Sequence, residues 1–279
     1  MDIFRDISSL KKRLYQAKLE GKSIGLVPTM GALHLGHATL IKAAIEENEV
    51  SVCSIFVNPT QFNNSNDLSV YPRTLENDTK LLETLGCDIL FCPEVEEIYK
   101  EKAVLNFDFG HLENVMEGAF RPKHFNGVAL IVSKLFHIVD PERAYFGQKD
   151  LQQFKVVSQL VQDLSFNIEL KCIPIVREDD GLAMSSRNVR LSKEGRIKAA
   201  SINKMLVKGE SLLKQGKLFS DIKDSLLDDL HSQGMEVEYC ELVETNALNK
   251  INAISRHQLS AICVAVVVEG VRLIDNRIF

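Results

Sequence analysis

Pro28-Thr29-Met30-Gly31-Ala32-Leu33-His34-Leu35-Gly36-His37 follows the apolar run Ile24-Gly25-Leu26-Val27 and leads into an amphipathic segment from Ala38 to Glu46. This order predicts a strand, a glycine-containing turn and a helix, with two histidines three residues apart at the helix entry. A helix start offers unpaired N–H groups and a partial positive charge, so anions bind there. Glycines at 31 and 36 let a phosphate approach the backbone. Two imidazoles at that point can donate hydrogen bonds to phosphate oxygens, so the stretch reads as a grip on a nucleoside triphosphate. It is neither a Walker loop, since no Gly-Lys-Ser/Thr follows, nor the Gly-x-Gly-x-x-Gly dinucleotide fingerprint. Two surface histidines, or half of a metal site, are the alternatives. Zinc needs three or four ligands, and no neighbouring Cys, His or Glu cluster completes a set.

Outward from this stretch, residues 1–175 alternate strand-like and helix-like patterns, which predicts an α/β fold with a Rossmann-like parallel sheet and helices on both faces. Strands are expected at 24–28, 50–57, 88–92, 142–146 and 168–173, and helices at 3–20, 37–47, 74–85, 124–139 and 149–164. In the last helix Leu151, Phe154, Val157, Val161 and Leu164 fall on one stripe. Ligands of such sheets sit beyond the carboxyl ends of the strands, which groups Thr29–His37, Val57–Gln61 and Gly147–Asp150 at one rim. The charged stretch Arg177-Glu178-Asp179-Asp180-Gly181 marks a change of texture. Residues 176–279 read as a smaller α+β unit, with a charged helical stretch at 192–215, a helix at 219–231 and strands near 235–243, 261–268 and 271–275.

A chain of 279 residues can bury a sizeable core. The net charge of −5, spread along the chain, argues against a nucleic-acid partner held by bulk electrostatics. No run approaches the roughly 20 apolar residues of a membrane span, and the first residues lack a signal-peptide core. The six cysteines contain no Cys-x-x-Cys pair, and several sit in apolar runs such as Ser51-Val52-Cys53-Ser54-Ile55-Phe56. They read as buried small hydrophobes in a reducing compartment, so the expected location is cytoplasmic.

With the opening stretch, the motifs Phe56-Val57-Asn58-Pro59-Thr60-Gln61-Phe62, Tyr71-Pro72-Arg73-Thr74, His124-Phe125-Asn126-Gly127-Val128, Phe146-Gly147-Gln148-Lys149-Asp150, Asp180–Asn188 and Arg272-Leu273-Ile274-Asp275-Asn276 resemble, in this order, the pantothenate synthetases, the family of ligases joining pantoate to β-alanine. The resemblance covers nearly the whole chain. The His-x-Gly-His element alone is similar to the wider nucleotidyltransferase and class I aminoacyl-tRNA synthetase superfamily. What the family resemblance implies is a Rossmann-like ATP- and pantoate-binding domain at 1–175, a C-terminal lid domain at 176–279 and a homodimer. It also implies two steps: pantoate carboxylate attacks the α-phosphorus of ATP to give pantoyl adenylate and pyrophosphate, and β-alanine then displaces AMP.

By that resemblance His34 and His37 are the catalytic pair on the phosphates, with the proton-donor role at His37. ATP falls to Met30, Gly31, Ala32, Leu33, His34, Leu35, Gly36 and His37, to Gly147, Gln148, Lys149 and Asp150, to Val176 through its backbone, and to Met184, Ser185, Ser186 and Arg187. The last four correspond to the mobile Lys-Met-Ser-Lys-Ser loop of related synthetases; hydroxyls and a guanidinium suit a phosphate clamp. Gln148 stands where the family pattern has Glu and receives no role of its own. Gln61, Gln153 and Asn58 fall to pantoate and β-alanine. Uncharged amides can bracket hydroxyls and a carboxylate, although Asn before Pro59 is also an ordinary turn residue. His124 either lines the β-alanine side or is structural. Mg2+ is expected with the triphosphate. Its protein ligands stay unassigned, because Asn77 replaces one acid of Glu76-Asn77-Asp78 and Asp78 is only a candidate. Two other functions compete: a related adenylyl- or cytidylyltransferase, which needs a second phosphate site, and a nucleotide sensor, which does not need a pyrophosphate-leaving-group site.

Overall fold

The computed structural model describes residues 1–63 and 65–279. Six strands, β1 (Asp2–Phe4), β2 (Ile24–Thr29), β3 (Val50–Ile55), β4 (Ile89–Phe91), β5 (Arg143–Gly147) and β6 (Glu169–Ile173), form a parallel sheet in the order β1-β4-β3-β2-β5-β6. The crossovers carry α1 (Ile7–Leu19), α2 (Leu35–Glu47), α3 (Ser65–Ser69), α4 (Leu75–Leu85), α5 (Val95–Ile98), α6 (Met116–Phe120), α7 (His124–Val139) and α8 (Leu151–Asp163). Strand side chains alternate between two cores, as the period of two dictates. Leu26, Val52, Ile89 and Ala144 pack with Leu10 and Leu14 of α1, Phe136 of α7 and Val157 of α8. Val27, Cys53, Leu90 and Tyr145 pack on the other face with Ile41 and Ala44 of α2 and Leu82 of α4. A sheet covered on both faces explains why its strands read as continuous apolar runs.

The topology makes one crevice. From β2 the chain steps outward through β3 to β4, then returns to β5 on the opposite side of β2. The ladder between β2 and β5 spans only Gly25↔Arg143 and Leu26↔Ala144. The two strands part beyond these pairs, and their carboxyl ends open where strand order reverses, the place at which open α/β sheets bind ligands.

The second sheet is antiparallel, β7 (Glu236–Glu244), β8 (Ser260–Val268) and β9 (Val271–Ile278). One face packs Leu242, Ile262 and Val264 against Ile202, Leu206 and Leu226 of α10 (Ser201–Lys214) and α11 (Phe219–His231), with α9 (Lys193–Ala199) beside them. The other presents Val243, Ala261 and Cys263 to Met116 and Leu151. That contact brings β9 over the turn that follows β5.

Three expectations are corrected. The helix expected at 3–20 is α1, preceded by an edge strand: Asp2–Phe4 pairs with β4, and Asp6 caps the helix by accepting the Ser9 N–H at 2.8 Å. Ile3 and Phe4 fit a helical stripe in sequence, but their backbone is taken by the sheet. The stretch at 192–215 is two helices meeting at Ala200, with Ser192 capping the first through the Gly195 N–H at 3.0 Å. Leu164 lies past the end of α8 and is 49% exposed, so it leaves the expected stripe.

Candidate active site

A cleft of about 210 Å3 occupies the crevice between the ends of β2 and β5. Of the residues expected at the site, Met30, His34, Gly36, His37, Asn58, Gln61, Gly147, Lys149, Asp150, Gln153, Val176, Met184, Ser185, Ser186 and Arg187 line it. Gly31, Ala32, Leu33, Leu35 and Gln148 do not.

The histidine pair is built by the start of α2. His34 is the N-cap; its Nδ1 accepts the Gly36 N–H at 3.1 Å. His37 Nδ1 in turn accepts the His34 N–H at 3.3 Å. A Cβ on Gly36 would lie 2.8 Å from His34 Cε1, so only glycine lets the ring fold over the helix start. The rings sit 4.1 Å apart, tilted by 44°. Burial, aided by the Lys149 charge, pushes His34 down to about 4. Burial, then His34 and Lys149, pushes His37 down to about 3. Both rings are therefore neutral near neutral pH, and an accepting Nδ1 leaves each Nε2–H free to donate. The histidines are hydrogen-bond donors at the outset, not imidazolium ions.

The turn before them differs from the expectation of backbone amides open to phosphate. The buried carboxylate of Asp78 on α4 accepts the Ala32 N–H at 2.9 Å and the Leu33 N–H at 2.8 Å, with the Thr74 hydroxyl at 3.1 Å. Gly31 has φ +81°, and a Cβ there would meet Asp78 Oδ2 at 3.1 Å; Ala32 follows at φ +50°. Glycine at 31 thus admits this carboxylate rather than a ligand, and Asp78 holds a left-handed alanine in place. The candidate metal ligand is a loop anchor. The Leu35 side chain is 62% exposed and lies outside the cleft.

After β5, a 3₁₀ turn (Gln148–Asp150) leads into α8. Lys149 reaches the cleft with its Nζ 3.4 Å from Asp150 Oδ2. Gln148 turns away and donates from Nε2 to Asn276 Oδ1 at 3.1 Å. Gly147 has no atom within 4 Å of a Cβ position, which leaves room on the cleft side.

A hairpin carries the opposite wall. Arg177 bridges Ala183, and the Met184 N–H donates to the Val176 carbonyl at 3.0 Å. The Val176 N–H has no partner among the described residues, so it is available to a base edge. Ser185 caps the 3₁₀ helix Ser186–Arg190 by accepting the Arg187 N–H at 3.2 Å. This segment reaches across to the first sheet's loops. Ser186 Oγ lies 3.3 Å from the Tyr71 hydroxyl, and Arg187 pairs with Asp67 at 3.0 Å while lying over the Tyr71 ring.

The acceptor end is lined by amides with unequal freedom. Asn58 is spent within the protein. Its Nδ2 donates to Gln61 Oε1 and to the Gly127 carbonyl, both at 3.1 Å, and its Oδ1 accepts the Thr60 and Tyr99 hydroxyls, both at 2.9 Å. Expected on substrate, it instead fixes Gln61. The Gln61 carbonyl is held by His124 Nδ1 at 2.9 Å, and burial keeps His124 neutral at about 4. Among the described residues the free end of Gln61 has only the Met30 sulfur, at 3.1 Å. Gln153 makes no side-chain hydrogen bond among those described and lines the cleft beside it. Apolar Phe56, Val128 and Val132 line the same end.

Sequence reasoning did not find Gln152, Arg177 or Asp78 as supports. Gln152 grips the Leu112 and Val115 carbonyls at 2.7 and 2.8 Å, and nothing local marks it. Among the described residues no group of three His, Cys, Asp or Glu could hold a metal, and Asp150 is the acidic residue on the cleft wall.

A family model described as Pantoate-beta-alanine ligase matches residues 2–278. A pantothenate synthetase of Cytophaga hutchinsonii is 50% identical over 274 residues, 98% of this chain and 97% of its own length. That of Bacteroides fragilis is 48% identical over 278 residues, with 99% and 98% covered. The crystal structure of pantothenate synthetase from Thermus thermophilus superposes with a TM-score of 0.92 at 39% identity, covering 99% of both chains. The pantoate-beta-alanine ligase of Francisella tularensis, complexed with beta-gamma ATP and beta-alanine, does so with a TM-score of 0.85 at 36% identity, covering 99% of this chain and 97% of its own.

Proposed function

Since the chain belongs to the pantoate–β-alanine ligase family, we propose that its cleft condenses pantoate with β-alanine using ATP, through pantoyl adenylate, with release of pyrophosphate and AMP. One observation carries this reading. His34, His37, Lys149, Ser185, Ser186 and Arg187, from three separate segments, line the same cleft as Gln61 and Gln153. Donors and cations for a polyphosphate adjoin uncharged amides for a hydroxy acid.

In the first step a pantoate carboxylate oxygen bonds to the α-phosphorus, and the bond from that phosphorus to the bridging oxygen breaks. Negative charge grows on the departing pyrophosphate. The Nε2–H groups of His34 and His37, with Lys149 and Arg187, oppose that charge, and such preorganised donors are worth most where water is excluded. As charge develops, the neutral rings strengthen their Nε2–H hydrogen bonds to the departing oxygens, each ring keeping its proton. In the second step the β-alanine amine attacks the acyl carbonyl, AMP leaves with the bonding pair, and the amine loses a proton. Gln61 and Gln153 orient pantoate, Asn58 and His124 hold Gln61, and the apolar wall shields the mixed anhydride from water. Val176 meets adenine through its N–H. Mg2+ would supply charge neutralisation on the triphosphate; no protein cage is assigned to it, because Asp78 is committed to the turn.

The chain divides into an ATP- and pantoate-binding domain at 1–175 and a lid domain at 176–279. It works as a homodimer in the cytoplasm, in keeping with six free thiols. Light scattering at twice the chain mass checks the dimer, and a single chain mass refutes it. ATP–pyrophosphate exchange tests the reaction: exchange should require pantoate, and AMP should appear on adding β-alanine. Exchange indifferent to pantoate would sink the assignment.

A further inference from the structure

The stretch Arg272–Asn276 belongs to the family motifs, yet no residue of it lines the cleft. Asp275 and Asn276 are buried, at 3% and 2% exposure, and adjacent strand residues point to opposite faces. They reach two different walls of the cleft. Asn276 Nδ2 donates to the Gln148 carbonyl at 2.9 Å and to the Lys149 carbonyl at 3.0 Å, while its Oδ1 accepts Gln148 Nε2 at 3.1 Å. All three bonds of one amide thus end on the turn that carries Lys149. Asp275 binds Arg177 with both oxygens, at 2.7 and 3.0 Å. Arg177 also donates to the Gly181 carbonyl at 3.1 Å, across the hairpin that delivers Met184–Arg187. Bidentate pairs fix orientation as well as distance.

The geometry points to Asp275 and Asn276 as positioning residues of the ligase reaction. One strand of the second sheet sets the spacing between Lys149 on one wall and the Ser185–Arg187 segment on the other. This rests on the reading of those residues as phosphate contacts. A structural clasp that merely joins the two sheets would affect stability alone. A positioning device acts through Lys149 and affects ATP specifically, because misplacing a group by about 1 Å costs on the order of 100-fold.

The test is a double-mutant cycle of Asn276→Ala and Lys149→Ala, read by steady-state kinetics and thermal melting. Asn276→Ala should lower kcat/KM for ATP by roughly 10- to 100-fold and leave KM for β-alanine within about 2-fold. In the Lys149→Ala background the same change should cost less than about 3-fold, since the turn no longer carries a group to aim. Equal losses in both backgrounds, or an unchanged kcat/KM for ATP, overturn the inference. Lys149→Ala with normal ATP kinetics would instead overturn the phosphate-site reading beneath it. If Asn276→Ala does not fold, Asn276→Ser keeps one donor and carries the same cycle.

Discussion

At the residue scale, the site depends on which nitrogen of each histidine is free. Nδ1 of His34 and of His37 is occupied by the backbone of their own turn, so the working atom is Nε2–H. Removing such a preorganised donor in comparable sites costs roughly 100- to 1000-fold in rate. His37→Ala should therefore lower the pyrophosphate-exchange rate by about that factor, while losing its hydrogen bond from the His34 N–H costs only about 1 kcal/mol of stability. A full exchange rate with a collapsed melting curve would make the histidine structural. The depressed values also set a stability window. His34, His37 and His124 titrate at about 4, 3 and 4 when folded, below the ordinary value of 6.5. The unfolded chain binds the extra protons, so this stability is complete above about pH 6.5 and drains as pH falls toward the folded values. Each histidine contributes a slope of up to about 1.4 kcal/mol per pH unit. Urea denaturation across that window should show the decline, and His124→Gln should flatten it by about one proton. An unchanged slope in His124→Gln would mean that His124 is not the buried neutral base described. The histidines themselves were legible from their spacing in sequence. Their neutrality was not, because it comes from burial and from Lys149, more than a hundred residues away.

Among the elements, α7 and the turn Pro59–Gln61 show how closely backbone must approach backbone. A Cβ on Gly127 would collide with the Thr60 carbonyl and lie 2.7 Å from the Gln61 nitrogen. Gly127→Ala must push the turn away or bend the helix, at a cost of about 1–3 kcal/mol. Because Gln61 rides on that turn, KM for pantoate should rise more than KM for ATP, and equal changes in the two would detach the turn from pantoate binding. Gly127 lies in a motif visible in sequence, but nothing local says what it faces. The same holds for Asn58: the sequence marks a turn before Pro59, and the structure spends the side chain on Gln61, Gly127 and Tyr99. The start of α1 is misplaced by the sequence pattern: the capping Asp6 reads as helix interior, and Ile3 and Phe4 count into the helix although a distant strand claims their backbone.

For the whole molecule, the junction between the sheets is ionic as well as apolar. Glu117 on α6 is buried and receives Arg272 at 2.8 and 2.7 Å and the Tyr239 hydroxyl at 2.9 Å, with Arg121 at 3.7 Å. Arg272 and Arg121 hold its carboxyl below the usual range against the opposing effect of burial. Glu117→Ala leaves Arg272 with Glu238 alone and should destabilise the protein by about 3–5 kcal/mol in urea. A loss below about 1 kcal/mol would mean that the junction is held by its apolar contacts. From the sequence alone came five of the six strands of the parallel sheet, their alternation with helices, the paired histidines and the run of motifs that identifies the family, because these are written in local periodicity and in short adjacent residues. Only the folded chain decided which donors remain free. Asp78 silences two amides of the turn it faces, Asn58 is spent on its neighbours, and Asn276 reaches back 127 residues to the Lys149 carbonyl. Hydrogen-bonding capacity and solvation belong to whatever packs nearby in space, and separation along the chain carries no record of it.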